Sequence, residues 1–286
     1  VRCCFTDIFI YTACLPWKAP TPYGWVPIPR RNSMGYKIAL YYDNASGERY
    51  EEKAFNKTGV EYEKIGPKDM IKEVLDKYDV LFLPGAFPLK KHNKGGFFSF
   101  INFLRRIGRD YRKPILEYVK DGGGLIGVCA SVAILGKSIT IPWWTRPFTF
   151  GINPLGIFDY HATYGEKTGV VDLEAVDYKR PPEALKAVRD VLGEYSEDRF
   201  SSLYFRGPAL TYDRRNEIIH PSLRSEDAPP REIQVARYVD NTPLLDGKGA
   251  IAYKEMGDGK VISCSVHPEF STWDLFDSMI EVAHRK

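Results

Sequence analysis

Cysteine is scarce in this sequence, and its few copies form no framework. Only five of the 286 residues are cysteines, and three of them, Cys3, Cys4 and Cys14, lie close to the first residue. An odd and sparse set excludes a disulfide-stapled scaffold and fits a reducing compartment, so we expect a cytoplasmic protein. Cys-x-x-Cys, His-x-x-x-His and His-Glu-x-x-His spacings are also absent, so the sequence predicts no metal site.

Charge of one sign and long apolar runs are lacking as well. Forty basic side chains against 37 acidic ones give a net charge of +3, and basic residues never form a run longer than a pair. This balance gives no reason to expect nucleic acid or an anionic membrane as a partner. The apolar stretch at 5–15 is too short to span a membrane and contains Asp7. The expected partner is therefore a small molecule or another protein.

The first 33 residues differ in character from the remainder. Five prolines and three of the five cysteines lie in this stretch. Prolines at that density exclude a regular helix, so we expect residues 1–33 to be an irregular N-terminal extension. A β-prone run at 36–42 follows Met34 directly, which makes Met34 a candidate for the true start of the protein. An intact-mass measurement of the native protein tests this expectation.

Residues 34–286 are predicted to form one α/β domain. Apolar, β-prone runs alternate with helical patterns, the runs at 37–42, 61–65, 80–84 and 125–128 and the patterns at 48–57, 68–77 and 97–121. This alternation predicts a flavodoxin-like three-layer sandwich with a mostly parallel central sheet. The second half adds strands near 169–176, 202–205, 233–238, 250–254 and 260–265 and a helix at 182–192. Gly257-Asp258-Gly259, between the last two strands, predicts an antiparallel hairpin.

Residues 121–133 contain the strongest chemical signal. They combine a helix stop, a short apolar strand and Cys129, which is followed by small residues. This order predicts a nucleophile elbow, a sharp strand-to-helix turn in which Gly127 and Ala130 let the backbone pass without collision. The positive end of the following helix would favour the thiolate form of Cys129. The sequence therefore predicts a cysteine nucleophile at this position.

The same glycines match a dinucleotide-binding fingerprint only formally. Gly122-x-Gly124-x-x-Gly127 has the required spacing. The fingerprint, however, places its glycines between a strand and a following helix, whereas these glycines follow a helix and lead into a strand. We therefore predict no nucleotide or flavin cofactor.

A second segment supplies the groups that would activate the thiol. His267 lies at the end of an apolar strand, and Glu269 follows after Pro268. A carboxylate that accepts a hydrogen bond from an imidazole selects its tautomer and supports its charged form, which is the role of the third member of a catalytic triad. Because Cys129 and His267 are far apart in the sequence, their contact is a prediction about the fold.

These segments together resemble the class I glutamine amidotransferase-like superfamily, and most closely the biotin-protein-ligase N-terminal type of domain. The likeness rests on the elbow, the run from Gly259 to Glu269, Leu83-Pro84-Gly85-Ala86, and the tyrosine-containing Gly-Pro segment at 203–209. The resemblance implies a thiol-dependent amidohydrolase or amidotransferase that acts on a small amide or acyl substrate. It also implies site roles: a Cys129, His267 and Glu269 triad, an oxyanion hole of the Gly85, Ala86 and Ala130 amides, and substrate contacts from Tyr204, Arg206 and Gly207.

One departure from the superfamily pattern argues against glutamine hydrolysis. Glutamine-hydrolysing members have Gly-x-Cys-x-Gly-x-Gln, whereas Ser131 and Ala133 occupy the last two of those positions here. Ammonia transfer would also need a separate acceptor or synthetase subunit. Two alternatives stay open: a DJ-1/PfpI-like or peptidase-like thiol enzyme, in which an acidic residue such as Asp43 would touch the cysteine, and a noncatalytic ligand-binding or regulatory domain.

Overall fold

Residues Asn32–Lys286 form one compact unit. The computed structural model describes residues 35–46, 48–86, 96–140, 154–164, 168–178, 182–197, 199–205, 207–212, 232–239 and 242–284. The predicted N-terminal extension at 1–33 and the candidate start at Met34 lie outside the described residues.

Within this part of the chain one sheet contains twelve strands. The strands are β1 (Ile38–Tyr41), β2 (Tyr62–Ile65), β3 (Val80–Leu83), β4 (Gly124–Val128), β5 (Ser138–Thr140), β6 (His161–Tyr164), β7 (Thr168–Ala175), β8 (Arg199–Phe205), β9 (Pro208–Thr211), β10 (Ile233–Tyr238), β11 (Gly249–Met256) and β12 (Gly259–Cys264). The helices are α1 (Glu48–Thr58), α2 (Lys72–Leu75), α3 (Gly96–Arg105), α4 (Arg112–Lys120), α5 (Val132–Leu135), α6 (Pro182–Leu192), α7 (Pro268–Ser271) and α8 (Trp273–His284).

The sheet has a parallel half and an antiparallel half. Along the order β2-β1-β3-β4-β12 every neighbouring pair is parallel, and from β12 through β11, β10 and β7 to β8 every pair is antiparallel. The predicted α/β class with additional antiparallel strands in the C-terminal half is confirmed, as is the hairpin between β11 and β12. β12 therefore lies at the seam between the two halves.

Helices cover both faces of the parallel half. A Cβ on Gly124 would meet the carbonyl oxygen of Ala283 in α8 at 2.6 Å, and a Cβ on Gly259 would meet that of Val119 in α4 at 2.0 Å. Lys260 pairs with Gly124, and successive side chains of a strand alternate between faces. Gly259 therefore faces the side opposite to Gly124, and α4 and α8 enclose the sheet as the outer layers of a three-layer sandwich.

One predicted helix is interrupted. The pattern at 97–121 predicts a single helix, but the structure contains α3, a π-helical turn at Arg106–Asp110, and α4. Pro114 explains the break, because a proline cannot donate to the carbonyl four residues earlier, at Asp110, and its ring collides with that carbonyl. The prediction of one continuous helix was wrong because the apolar periodicity outweighed this proline.

Candidate functional site

Three neighbouring strands bring the predicted site residues to one edge of the sheet. β4 lies between β3 and β12, and all three run parallel, with Leu83 paired to Gly127 and Val128 paired to Cys264. Parallel strands present their carboxyl ends at the same edge, which is where ligands bind in open α/β sheets. The segments that follow these strands begin with Pro84, Cys129 and Ser265, so the fold places the elbow between the Gly85 loop and the His267 segment.

Cys129 has the backbone conformation of an elbow. Its φ is +52°, and no other non-glycine residue in the described ranges has a positive φ. That conformation costs about 1 to 3 kcal/mol and persists only where the surrounding structure enforces it. Gly127 contributes to the turn, because a Cβ there would lie 2.7 Å from Cδ1 of Leu135. The turn directs the chain from β4 through Cys129–Ser131 into α5.

His267 and Glu269 form a buried pair. Nδ1 of His267 lies 2.6 Å from Oε1 of Glu269, and the two residues are 1% and 5% exposed. The backbone N–H of His267 donates to the carbonyl of Leu203 at 2.8 Å, which fixes the segment against β8. Burial opposes a charge on the imidazole, but the facing Cys129 and Glu269 outweigh it and raise the pKa of His267 well above its usual value. The arrangement therefore favours an imidazolium.

The thiol of Cys129 lies in a largely apolar enclosure. Cys129 is 5% exposed, and its Sγ lies 4.0 Å from the carbonyl oxygen of Phe205. The Phe205 and Phe270 rings lie 5.3 and 5.7 Å from the imidazole of His267. Nε2 of His267 is buried and has no hydrogen-bond partner among the described residues. The Cys129 thiol interacts electrostatically with the His267 imidazole. Electrostatic interactions are strong in such a water-poor setting.

The backbone positions predicted for an oxyanion hole border the thiol. A Cβ on Gly85 would lie 3.3 Å from Cβ of Cys129 and 3.5 Å from Cε1 of His267, so the Gly85 backbone lies directly against both residues. The Gly85 N–H donates to Oε1 of Glu51 at 3.3 Å. Ala86 and Ala130 are buried beside it. The assignment of these amides to an oxyanion hole stays a prediction.

The two residues that depart from the glutaminase pattern have structural roles. The Ser131 hydroxyl donates to the carbonyl of Pro84 at 2.6 Å and so ties the elbow to the loop after β3. Ala133 is fully buried in α5. Neither side chain presents a polar group to a substrate.

Two of the three predicted substrate-contact residues, Tyr204 and Gly207, are among the described residues. Tyr204 is fully buried, and its hydroxyl donates to the carbonyl of Gly207, so it supports that loop from beneath. A Cβ on Gly207 would meet the carbonyl oxygen of Ser265 at 2.6 Å and would lie 3.7 Å from Sγ of Cys129. Arg206 lies outside the described residues. Their part in substrate binding stays a prediction.

Two residues near the site were not predicted from the sequence. Glu51 of α1 is 1% exposed, and it is the carboxyl group that the structure brings to the Gly85 loop. Its spacing to Ala54 and Phe55 places it on the buried stripe of α1, and a charged residue on such a stripe is a signal the sequence did contain. The Tyr164 hydroxyl is buried without a hydrogen-bond partner among the described residues, and burial together with nearby Cys129 raises its pKa.

Asp43 does not take the role that the DJ-1/PfpI-like alternative gives it. Its carboxylate accepts hydrogen bonds from the backbone N–H groups of Ala45 and Ser46 at 2.7 and 3.1 Å, and from the Tyr41 hydroxyl at 3.2 Å. These bonds close a local turn after β1. The acidic residue that contacts the Gly85 loop is Glu51.

The described ranges contain neither a metal cluster nor a membrane span. No group of three or more His, Cys, Asp or Glu side chains in them could hold a metal ion. None of their helices has the length and apolar character needed to cross a membrane. A surface cavity of about 480 Å³ lies at the amino-terminal end of β1, lined by residues such as Lys37 and Asn56 rather than by the Cys129 site. The assignment of the Cys129 site is therefore based on the geometry of its side chains and not on a cavity.

Comparison with known proteins finds partial likenesses. No family model matches the chain. The chain is 31% identical over 92 residues to a probable cobyric acid synthase of Methanococcus maripaludis strain S2, and 28% identical over 92 residues to that of strain C6. Each likeness covers 32% of this chain but only 17% of the relative.

Solved structures give a distant likeness. A Thermoplasma acidophilum protein provisionally named as part of GMP synthase has 12% identity and a TM-score of 0.49, over 87% of this chain and 94% of that one. A glutamine amidotransferase of Methylobacillus flagellatus has 10% identity and a TM-score of 0.42, over 87% of this chain and 75% of that one. At these values the likenesses carry no argument about chemistry, which has to come from the site itself.

Proposed function

We propose that this chain is a thiol-dependent amidohydrolase or amidotransferase-like protein of the class I glutamine amidotransferase-like superfamily, of the biotin-protein-ligase N-terminal type. The observation that carries the proposal is the conformation of Cys129, which has a φ of +52° at the strand end facing the buried His267 and Glu269 pair. An elbow, a base and a carboxylate that orients the base are what nucleophilic acyl transfer requires.

The proposed reaction proceeds through a thioester. Sγ of Cys129 attacks the carbonyl carbon of the substrate, and the carbonyl electron pair moves to its oxygen, which the Ala86 and Ala130 amides would stabilise. The predicted third donor, the Gly85 N–H, donates to Glu51 instead. Collapse of this intermediate expels the amine, which takes a proton from Nε2 of His267. Water then attacks the thioester, His267 accepts the proton of the water, and the acid leaves as the thiol is restored.

The substrate is proposed to be a small amide or acyl compound other than glutamine. Ser131 is committed to the Pro84 carbonyl and Ala133 is buried, so neither replaces the glycine and glutamine of the glutamine-hydrolysing pattern. Gly207 would border the substrate, because a Cβ added to it would lie 3.7 Å from Sγ of Cys129. Arg206 stays a predicted substrate contact. The partial likeness to proteins named cobyric acid synthases supports a separate synthetase partner as acceptor.

Limiting iodoacetamide tests the activation of Cys129 without a substrate. The alkylated fraction of the Cys129 peptide is measured by mass spectrometry across pH, in the wild type and in His267→Ala. Because the thiolate is the reacting form, the substitution should slow labelling near neutral pH by about tenfold or more. Cys264 serves as an internal reference, since it is fully buried and burial raises the pKa of its thiol.

His284→Ala is the matched control, because this histidine lies at the end of α8 beside Asp79, 3.8 Å away. It should leave the labelling profile of Cys129 unchanged. A wild-type Cys129 that reacts no faster than a free thiol, with no effect of His267→Ala, would contradict the proposal. Release of ammonia from a panel of small amides then measures turnover.

A noncatalytic ligand-binding domain is the second candidate. The 5% exposure of Cys129 and the Phe205 carbonyl 4.0 Å from its sulfur favour it, because a closed site restricts access to the thiol. This candidate predicts a thiol that iodoacetamide does not label in the folded protein at any pH. The labelling experiment therefore separates the two functions.

A further inference from the structure

Glu51 is a buried carboxyl group that the triad chemistry does not use. It is 1% exposed and lies on α1 with Ala54 and Phe55, both of which are buried. The same helix contacts the site segment through Tyr50, whose ring centroid lies 4.8 Å from that of Phe270. An unpaired carboxylate in such a place is costly, so a buried acid needs either a counter-charge or a proton.

The two oxygens of Glu51 have different surroundings. Oε1 accepts the N–H of Gly85 at 3.3 Å. Oε2 is buried and has no hydrogen-bond partner among the described residues, and the same is true of Oε2 of Glu269. Oε1 of Glu269 is engaged by His267 at 2.6 Å. Glu51 and Glu269 thus each have one carboxyl oxygen without a hydrogen-bond partner among the described residues.

Two interacting carboxyl groups in a buried site do not both ionise. Burial and the neighbouring charge of Glu269 raise the pKa of Glu51 well above its usual value, and the His267 charge opposes this only in part. Glu269 has the His267 ring as its partner at 2.6 Å, whereas neither oxygen of Glu51 contacts a cationic side chain among the described residues. Glu51 is therefore the carboxyl group that keeps its proton.

We propose that Glu51 is a positioning residue that acts as a neutral carboxylic acid and holds the Gly85 amide. Through Gly85 it fixes the loop that borders both Cys129 and the imidazole of His267. The inference rests on the proposed function, since it concerns the same site. Glu51, from helix α1, thus joins Cys129, His267 and Glu269 as a fourth side chain of the site.

Glutamine and leucine at position 51 separate this role from simple packing. Glu51→Gln keeps the shape of the side chain, an oxygen that can accept the Gly85 N–H, and a neutral donor in place of the carboxylic O–H. Cys129 should therefore be alkylated within about twofold of the wild-type rate near neutral pH. Glu51→Leu keeps an apolar volume but removes the acceptor of the Gly85 N–H, and alkylation should slow by about tenfold. Glu52→Gln is the control, since Glu52 pairs with Lys64 at 2.8 Å on the surface of the same helix.

The titration of His267, followed by NMR of labelled histidine, gives a readout that does not depend on turnover. We expect the His267 midpoint to be unchanged in Glu51→Gln and displaced in Glu51→Leu. If both variants titrate and alkylate as the wild type does, the inference is overturned while the triad survives. If wild-type Cys129 is unreactive, the proposed function fails, and the His267 titration still decides whether Glu51 positions the pair. Circular dichroism confirms that each variant is folded.

Discussion

Glutamine in place of Glu51 should make the protein more stable than the wild type, by a margin that grows as pH rises. The folded-state pKa of Glu51 is raised well above the ordinary value of 4.5, so the folded state keeps a proton that the unfolded state releases. The contribution of Glu51 to stability is thus fully present below its unfolded pKa and declines as pH rises toward its folded pKa. The slope is about 1.4 kcal/mol per pH unit wherever the folded state is protonated and the unfolded state is not.

Urea denaturation at several pH values measures this margin. Glutamine at position 51 cannot release a proton, so the free energy of unfolding of the variant does not fall with rising pH on account of this position. Its neutral amide also preserves the surroundings of Glu269 and His267. The Glu52→Gln control should show no growing difference from the wild type. A Glu51→Gln margin that stays constant with pH would mean that Glu51 is ionised in the folded protein.

Alanine at Gly259 should destabilise the fold by at least about 3 kcal/mol, at the upper end of the effects of overpacking. A Cβ there would lie 2.0 Å from the carbonyl oxygen of Val119 and 2.4 Å from that of Gly123, and backbone atoms cannot rotate away. The variant must therefore separate α4 from β12, the strand that leads to His267.

Gly66→Ala is the matched control for this substitution. A Cβ on Gly66 would make ordinary contact, at 3.4 Å, with the Tyr42 ring. Its free energy of unfolding should stay within about 1 kcal/mol of the wild type. The comparison uses thermal and urea unfolding of both variants, and similar losses of stability in the two would show that the packing of α4 on β12 is not tight.

The strands that carry the site, β4 and β12, could be predicted from the sequence, and there is a physical reason for this. β4 is buried along its whole length and reads as a continuous apolar run, and β12 has the β-branched, buried Val261 and Ile262 at its centre. The elbow was recognisable because the sharp turn requires small residues at fixed places around Cys129. Three short strands, β5, β6 and β9, were missed, because each mixes polar residues or proline with few apolar ones, unlike the equally short but apolar β1 and β3.

The Glu51 contact could not be predicted in the same way. Helix α1 is rich in charge, with Glu48, Glu51 and Glu52 in its first half, and such a composition is typical of an exposed helix. The stripe that Glu51 shares with Ala54 and Phe55 indicates which of these carboxyl groups is buried, but its contact with Gly85 depends on how α1 packs beside the end of β3. Local sequence patterns do not determine such tertiary contacts.

The position of β12 at the seam of the sheet has a consequence for the order of assembly. β12 inserts between β4 and β11, and it pairs Lys260 with Gly124, a separation of 136 positions (260 − 124). Pairings of that range close a long loop and form late in folding. During synthesis Cys129 emerges well before His267, so the nascent chain carries an ordinary thiol. The cysteine acquires its partner only when nearly the whole domain has been made and the last strand has inserted.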